Sequence, residues 1–83
     1  MEIRFHPHAL QKIRERGATE DEVADTVRRG EKFAVKFSRH GFRKNFAFDG
    51  QWRGKRYNTK QIEAYAIWEN DGWLVITVMV KYY

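Results

Sequence analysis

The chain has 83 residues, no cysteine and a formal net charge of +5, so it forms a single domain, 1–83, without disulfides, thiolate metal sites or thiol nucleophiles. Its 42% hydrophobic residues and its 33% charged residues of both signs exclude intrinsic disorder. No run of about 18 apolar residues exists and the first residues lack the apolar run of a signal peptide, so we expect a cytoplasmic protein without a membrane segment.

The first predicted elements are a short strand and a helix. Residues 1–5 can begin as a strand, although this strand is optional in the predicted fold. A helix opened by His6 or Pro7 runs through Arg16, because proline is tolerated in the first helical turn. Gly17 suits the left-handed residue that stops a helix. The apolar side of this helix consists of Ala9, Leu10 and Ile13.

The second helix carries stronger local signals. Thr19 is a typical N-cap, and Glu22 three residues later completes a capping box. Val23 and Val27 are spaced to face the core, and Gly30 ends the helix. The pattern therefore predicts a helix between Thr19 and Gly30.

From residue 31 the hydrophobic period changes from helical to two, which is typical of strands. The first strand has an apolar face formed by Phe33, Val35 and Phe37. The next has one face formed by Phe42, Lys44, Phe46 and Phe48. Asp49-Gly50 predicts a turn, and the polar, basic segment 51–60 predicts a loop or a strand extension between the hairpins.

The last third of the chain predicts a hairpin. Asn70-Asp71-Gly72 is a typical hairpin turn between a strand at 62–69 and a final strand. Because the final strand is apolar at nearly every position from Trp73 to Val80, we expect it at the centre of the sheet. The predicted fold is therefore α+β, with two N-terminal helices packed on one face of a four-stranded, largely antiparallel twisted sheet.

A polar ridge on the first helix suggests chemistry on RNA. His8, Lys12 and Arg16 recur at every fourth position and lie along one flank. Metal-free cleavage of RNA needs a base for the 2′-hydroxyl proton, cations for the phosphorane and an acid for the leaving oxygen, and an imidazole serves as base or acid at neutral pH. His8 is the candidate for that role. Alternatively, His8 caps the start of the helix or forms a hydrogen bond with a strand backbone, and Arg16 pairs with Glu20 or Asp21.

The densest basic stretch is interrupted by aromatic residues. It contains Arg43, Lys44, Arg53, Lys55, Arg56 and Lys60, with Trp52 and Tyr57 among them. Because cations bind phosphates and aromatic rings stack on bases, the stretch predicts a surface for single-stranded RNA. The alternative is that the rings lie at the edge of the core and the lysines protect a sheet edge from aggregation.

Thr77 and the three histidines complete the candidate residues. Thr77 alternates with Val75 and Met79, so we expect it on the open face of the sheet, opposite the helices. His40 falls in the predicted turn 38–41, where an exposed loop histidine is expected. His6 and His8 are only two positions apart and no carboxylate is placed to support them, so together with His40 they would make a poor zinc site. We therefore predict no metal and no cofactor.

Several short motifs together resemble a known family. They are His8-Ala9, Arg14-Glu15-Arg16-Gly17, the 19–27 helix, Trp52-Arg53-Gly54-Lys55, Lys60-Gln61-Ile62-Glu63 and Ile76-Thr77-Val78. Over about residues 5–82 the chain resembles the domain of unknown function 4258 family, which is placed with the RelE, ParE and BrnT toxins. Met79 departs from the pattern, because many relatives have tyrosine there. The resemblance implies a RelE-like toxin-type domain and a metal-independent ribonuclease of the mRNA interferase type.

These observations define the candidate site. The predicted catalytic residues are His8, Arg16, Lys60 and Thr77. The predicted nucleic-acid-binding residues are Lys12, Arg43, Lys44, Trp52, Arg53, Lys55 and Tyr57. The candidate partners are RNA, the ribosome and a cognate antitoxin, and the oligomeric state is not predicted. Besides the ribonuclease, the alternatives are a non-catalytic module that binds RNA, the ribosome or an antitoxin, and a ParE-like inhibitor of a protein such as gyrase.

Overall fold

The computed structural model describes residues 2–83, which form two helices and one five-stranded sheet. In chain order the elements are β1 (Glu2–Phe5), α1 (Pro7–Glu15), α2 (Glu20–Arg29), β2 (Glu31–Ala34), β3 (His40–Trp52), β4 (Lys55–Glu69) and β5 (Gly72–Tyr82). The strand order is β1-β5-β4-β3-β2. Within residues 2–83 no helix is long and apolar enough to cross a membrane.

The sheet differs from the predicted one in its strand count and direction. β1 pairs in parallel with β5, with Glu2 opposite Gly72 and Phe5 opposite Val75, whereas the other neighbouring strands are antiparallel. The prediction of four largely antiparallel strands is therefore wrong, while the two N-terminal helices are confirmed. A four-residue strand carries too little periodicity to reveal a partner at the far end of the chain. β4, not β5, occupies the centre.

Both helices begin and end at residues that the sequence marks. The Nδ1 atom of His6 accepts a hydrogen bond from the backbone of His8 at 3.0 Å, and Gly17 stops α1 at φ 77°. Thr19 and Glu22 form the reciprocal capping box of α2, with hydrogen bonds of 3.1 and 3.0 Å. These contacts satisfy backbone N–H groups that the first turn of a helix leaves without partners.

The core lies between the helices and one face of the sheet. The helices contribute Ala9, Ile13, Val23 and Val27, and the sheet contributes Phe42, Ile62, Ala64, Ala66, Trp73, Val75 and Val78. On β4 these residues alternate with polar ones, as expected for a sheet that is covered on one side. The other face carries no helix, so its side chains meet solvent or one another.

The long β3–β4 hairpin turns later than predicted. Its tight turn is formed by Arg53 (φ 52°) and Gly54 (φ 81°), both in the left-handed conformation that such hairpins need. Asp49 and Gly50 lie inside β3, where the pairing register shifts and Asp49 adopts φ 44°. The predicted Asp49-Gly50 turn is therefore wrong. For residues 51–60 the predicted strand extension is confirmed and the predicted loop is not, because β3 runs to Trp52 and β4 begins at Lys55. Asp49-Gly50 and Arg53-Gly54 each contain a residue in the left-handed conformation. The pairing of β3 with β4 decides that the first dipeptide forms a bulge and the second forms the turn.

The β2–β3 connection also departs from the sequence pattern. β2 ends at Ala34, and the chain turns through Phe37 (φ 64°) and Ser38 (φ 59°). Phe37 is 87% exposed, so its predicted place on an apolar strand face is wrong. His40 begins β3 and packs edge-on against Trp73 at 5.1 Å, where an exposed loop histidine was expected.

A second irregularity sets the faces of β5. Val75 pairs with Ala66 and Thr77 with Tyr65, so Ile76 is an extra residue that forms a bulge. Val75 consequently joins the core, and the prediction that it shares a face with Thr77 is wrong. Thr77 lies on the face without helices.

Candidate nucleic-acid interface

An aromatic cluster lies at the hairpin end of the sheet. The ring of Trp52 stacks on Tyr82 at 5.0 Å between centroids and 15° between planes. Phe48 and Tyr57 lie 5.2 and 5.6 Å from the same Tyr82 ring. We name these four residues the terminal aromatic cluster. Trp52 and Tyr57 are half-buried, which places them at the edge of the core and leaves part of each ring accessible.

Three exposed cations surround the turn of this hairpin. The Arg53 guanidinium lies 5.2 Å from the Trp52 ring centroid, and the Lys55 ammonium lies 5.6 Å from that of Tyr57. Arg56 donates a hydrogen bond to the backbone carbonyl of Asp49 at 3.3 Å. Within residues 2–83 none of the three cations forms an ion pair. We name Arg53, Lys55 and Arg56 the hairpin tip.

The other predicted phosphate ligands are neutralised by carboxylates. These ion pairs are Lys12 with Glu15, Lys44 with Asp25 and Arg43 with Glu31 and Glu63. The hydrogen bond from Lys44 lowers the pKa of Asp25, and the hydrogen bond to Glu31 raises the pKa of Arg43. Because exposed pairs of this kind cancel most of their long-range field, Lys12, Arg43 and Lys44 attract phosphate more weakly than the hairpin tip does.

Lys60 is held inside the fold. Only 6% of it is exposed, and its ammonium donates to Glu22 at 2.9 Å and to the backbone carbonyl of Gly17 at 3.1 Å. Its ammonium also lies 5.5 Å from the ring centroid of Phe48. The lysine thereby ties β4 to the capping box of α2, and a phosphate would have to displace Glu22 to reach it.

The other predicted catalytic residues do not converge. His8 is exposed at the start of α1, and Arg16, at its end, donates to the backbone carbonyl of Val78 and to the Met79 sulfur at 2.9 Å. The eight helical steps from His8 to Arg16, each about 1.5 Å, separate the two residues by about 12 Å along the axis. Thr77 lies on the sheet face opposite α1. The four predicted catalytic side chains therefore do not surround one phosphate.

The helix-free face holds a network that sequence inspection missed. Glu63 is only 6% exposed, although no helix covers it. It accepts a hydrogen bond from the Tyr65 hydroxyl at 3.0 Å, and Lys81 and Arg43 lie 3.5 and 3.7 Å away. Burial raises the pKa of Tyr65, and its hydrogen bond to Glu63 raises it further. Cross-strand alternation predicts such neighbours only once the register is known.

Tyr82 was also missed as a structural residue, and its replacement by phenylalanine tests its role. Its hydroxyl donates to the carbonyl of Arg16 at 2.7 Å, so we expect Tyr82→Phe to lower the free energy of unfolding by about 1 kcal/mol. Burial raises the pKa of Tyr82 and the nearby Glu22 charge raises it further, so its contribution is complete below the unfolded tyrosine pKa and declines as pH rises through the folded value.

Urea unfolding of the wild type and Tyr82→Phe between pH 8 and 11 measures both effects. The wild type should lose more stability than the variant above about pH 10, the ordinary tyrosine pKa. If the free energy of unfolding fell equally with pH in both proteins, ionisation of Tyr82 would not contribute to the pH dependence of stability.

The described residues contain neither an enclosed cavity nor a metal cluster. In 2–83 no three histidine, aspartate or glutamate side chains come together as metal ligands, and no pocket opens in this surface. The chain matches no protein-family model, no curated protein and no solved structure.

Proposed function

We propose that this chain is an RNA-binding domain of the RelE-like toxin type that binds single-stranded RNA, free or on the ribosome, through the hairpin tip. The observation that carries the proposal is the juxtaposition of three unpaired cations with partly exposed rings of Trp52 and Tyr57. Cations beside ring faces bind phosphates and bases without reading a specific sequence. A cytoplasmic location belongs to the same proposal, because RNA and ribosomes are found there.

The geometry favours binding over cleavage. The Lys60 ammonium already donates to Glu22, and the Arg16 guanidinium already donates to a backbone carbonyl of β5. His8 lies about 12 Å from Arg16 along the helix axis. General acid–base catalysis requires these groups within hydrogen-bond reach of one substrate. The resemblance to RelE-type toxins therefore supports only RNA or the ribosome as the partner class, and ribonuclease activity becomes an outcome of the test.

Charge reversal at the hairpin tip tests the binding surface. We expect Lys55→Glu with Arg56→Glu to weaken binding of labelled single-stranded RNA at least about tenfold at low salt, because two phosphate contacts become repulsive. The slope of log affinity against log salt should flatten by about 1.4. Fluorescence anisotropy across a salt series measures both quantities.

Arg14→Glu with Arg28→Glu provides the matched control. Both arginines are exposed and outside the ion pairs among residues 2–83, and their reversal changes the net charge by the same amount. If this variant weakens binding as much as the hairpin variant, the attraction is non-specific and the proposed surface is wrong.

A parallel incubation separates binding from catalysis. Folded wild-type protein and His8→Ala are mixed with RNA in chelator, with and without ribosomes. We expect the RNA to remain intact and both proteins to bind it equally. If the wild type cleaves RNA and His8→Ala does not, the protein is a ribonuclease and the binding-only proposal is wrong. If the protein arrests cell growth but neither binds nor cleaves RNA, a protein target is favoured.

A further inference from the structure

A second group of unpaired cations lies at the opposite end of the sheet. Lys32, Lys36 and Arg39 are exposed and form no ion pair within the described part of the chain. β3 runs from this end to the hairpin tip and spans about 40 Å as an extended strand. The longest dimension of the molecule is also 40 Å. The two cationic groups are therefore too far apart to bind the same short ligand.

An exposed phenylalanine, which lies between Lys36 and Arg39 in the chain, adopts a conformation that its residue type disfavours. Phe37 is 87% exposed, and it and Ser38 both adopt left-handed φ values, 64° and 59°. Turns of this shape favour Asn-Gly, because glycine has no Cβ and the short polar side chain of asparagine tolerates the left-handed region, whereas an aromatic side chain is strained there. Neither local preference nor burial in the core explains the ring, and strain of this kind points to a functional role.

A second exposed ring, that of Trp68, lies at the same end of the sheet, where β4 pairs with β5. Trp68 is 50% exposed and packs edge-on at 5.0 Å against Trp73, which is itself only 8% exposed. His40 packs on the same Trp73 ring, and the Lys32 ammonium lies 5.4 Å from its centroid. Because Trp68 is braced by a buried ring, it loses little freedom when a flat ligand stacks on it.

We infer that Lys32, Lys36, Phe37, Arg39 and Trp68 form a second, independent site for single-stranded nucleic acid, which we name the distal patch. Its cations bind phosphates, and its two exposed rings stack on unpaired bases. A duplex is excluded as the preferred ligand, because its bases already stack on one another. The inference extends the proposed function, since a protein with sites at both ends holds two segments of one strand or two molecules.

Counting bound oligonucleotides tests the distal patch separately from the hairpin tip. Wild-type protein is titrated with a single-stranded RNA hexamer, which is too short to span both sites, and the stoichiometry is read by calorimetry and native mass spectrometry. We expect two hexamers on the wild type, and one each on Lys55→Glu with Arg56→Glu and on Lys36→Glu with Arg39→Glu. The combination of all four substitutions should bind none.

The two hypotheses fail in different ways. If the hairpin-tip variant binds no hexamer while the wild type binds one, the distal patch is overturned and the proposed function stands. If the hairpin-tip variant and the wild type each bind one hexamer and the Lys36→Glu, Arg39→Glu variant binds none, the distal patch stands and the proposed function fails. A distal patch that captures protein partners but no hexamer also overturns the inference.

Phe37 is tested with a variant that relieves its turn. In the hairpin-tip variant, Phe37→Asn with Ser38→Gly should raise the thermal midpoint, because these residues suit the left-handed turn. The same change should weaken hexamer binding at least about fivefold, the loss expected for one stacked base. Unchanged affinity in this more stable variant would overturn the role of Phe37.

Discussion

Replacing Gly17 by alanine is expected to lower the free energy of unfolding by about 3 kcal/mol, since it combines backbone strain with overpacking. Gly17 adopts φ 77°, and a Cβ there would lie 2.5 Å from the Trp52 ring and 2.6 Å from the Tyr82 hydroxyl. The ring cannot retreat freely, because it is stacked on Tyr82. Urea unfolding followed by far-ultraviolet circular dichroism measures the change.

Gly54 provides a matched control for this prediction. It has nearly the same backbone conformation, φ 81°, but a Cβ there would meet nothing within 4 Å. Gly54→Ala should therefore cost only the backbone part, about 1 kcal/mol. The excess cost at Gly17 should shrink in a Trp52→Leu background, and an equal cost at both glycines would show that the close approach to Trp52 is not tight.

Replacing Lys60 by methionine is the second large effect that we expect, with a loss of about 2 kcal/mol. Methionine keeps most of the buried volume but leaves the Gly17 carbonyl and the Glu22 carboxylate without their shared donor. The loss is moderated because the Glu22 side chain is 24% exposed and water can solvate it. The unfolding free energy in urea measures the loss.

RNA binding by the same variant distinguishes a structural Lys60 from a phosphate ligand. Lys55→Met removes one exposed charge and should change stability by less than about 0.5 kcal/mol. We expect folded Lys60→Met to bind RNA as tightly as the wild type, and Lys55→Met to bind more weakly. If Lys60→Met instead bound RNA more weakly than Lys55→Met, Lys60 would be part of the RNA-binding site.

Ion pairs decide which cations of the candidate site remain available to bind phosphate. The basic stretch around β3 and β4 reads in sequence as one continuous surface, yet its members have three different environments. Lys60 is buried, Arg43 and Lys44 are neutralised, and the hairpin tip remains free. Carboxylates distant in the chain make this difference, so residue spacing alone does not show which cations can bind phosphate.

The local signals of the sequence were sufficient for the helices and one turn. The capping box of Thr19 and Glu22, the glycine stop after α1 and the Asn70-Asp71 turn were all predicted and are observed. Each is decided by hydrogen bonds or backbone preferences within about four residues, so distant contacts do not alter it. The sequence by itself therefore determined both helices and the last hairpin.

Only the tertiary structure decided the sheet and the surfaces that it presents. The parallel pairing of β1 with β5, the bulges at Asp49 and Ile76 and the burial of Lys60 depend on contacts between residues far apart in the chain. A one-residue bulge moves the side chains beyond it to the opposite face, and period-two alternation cannot anticipate it. The same long-range pairing left the cations of the hairpin tip and of the distal patch exposed and without ion pairs among the described residues.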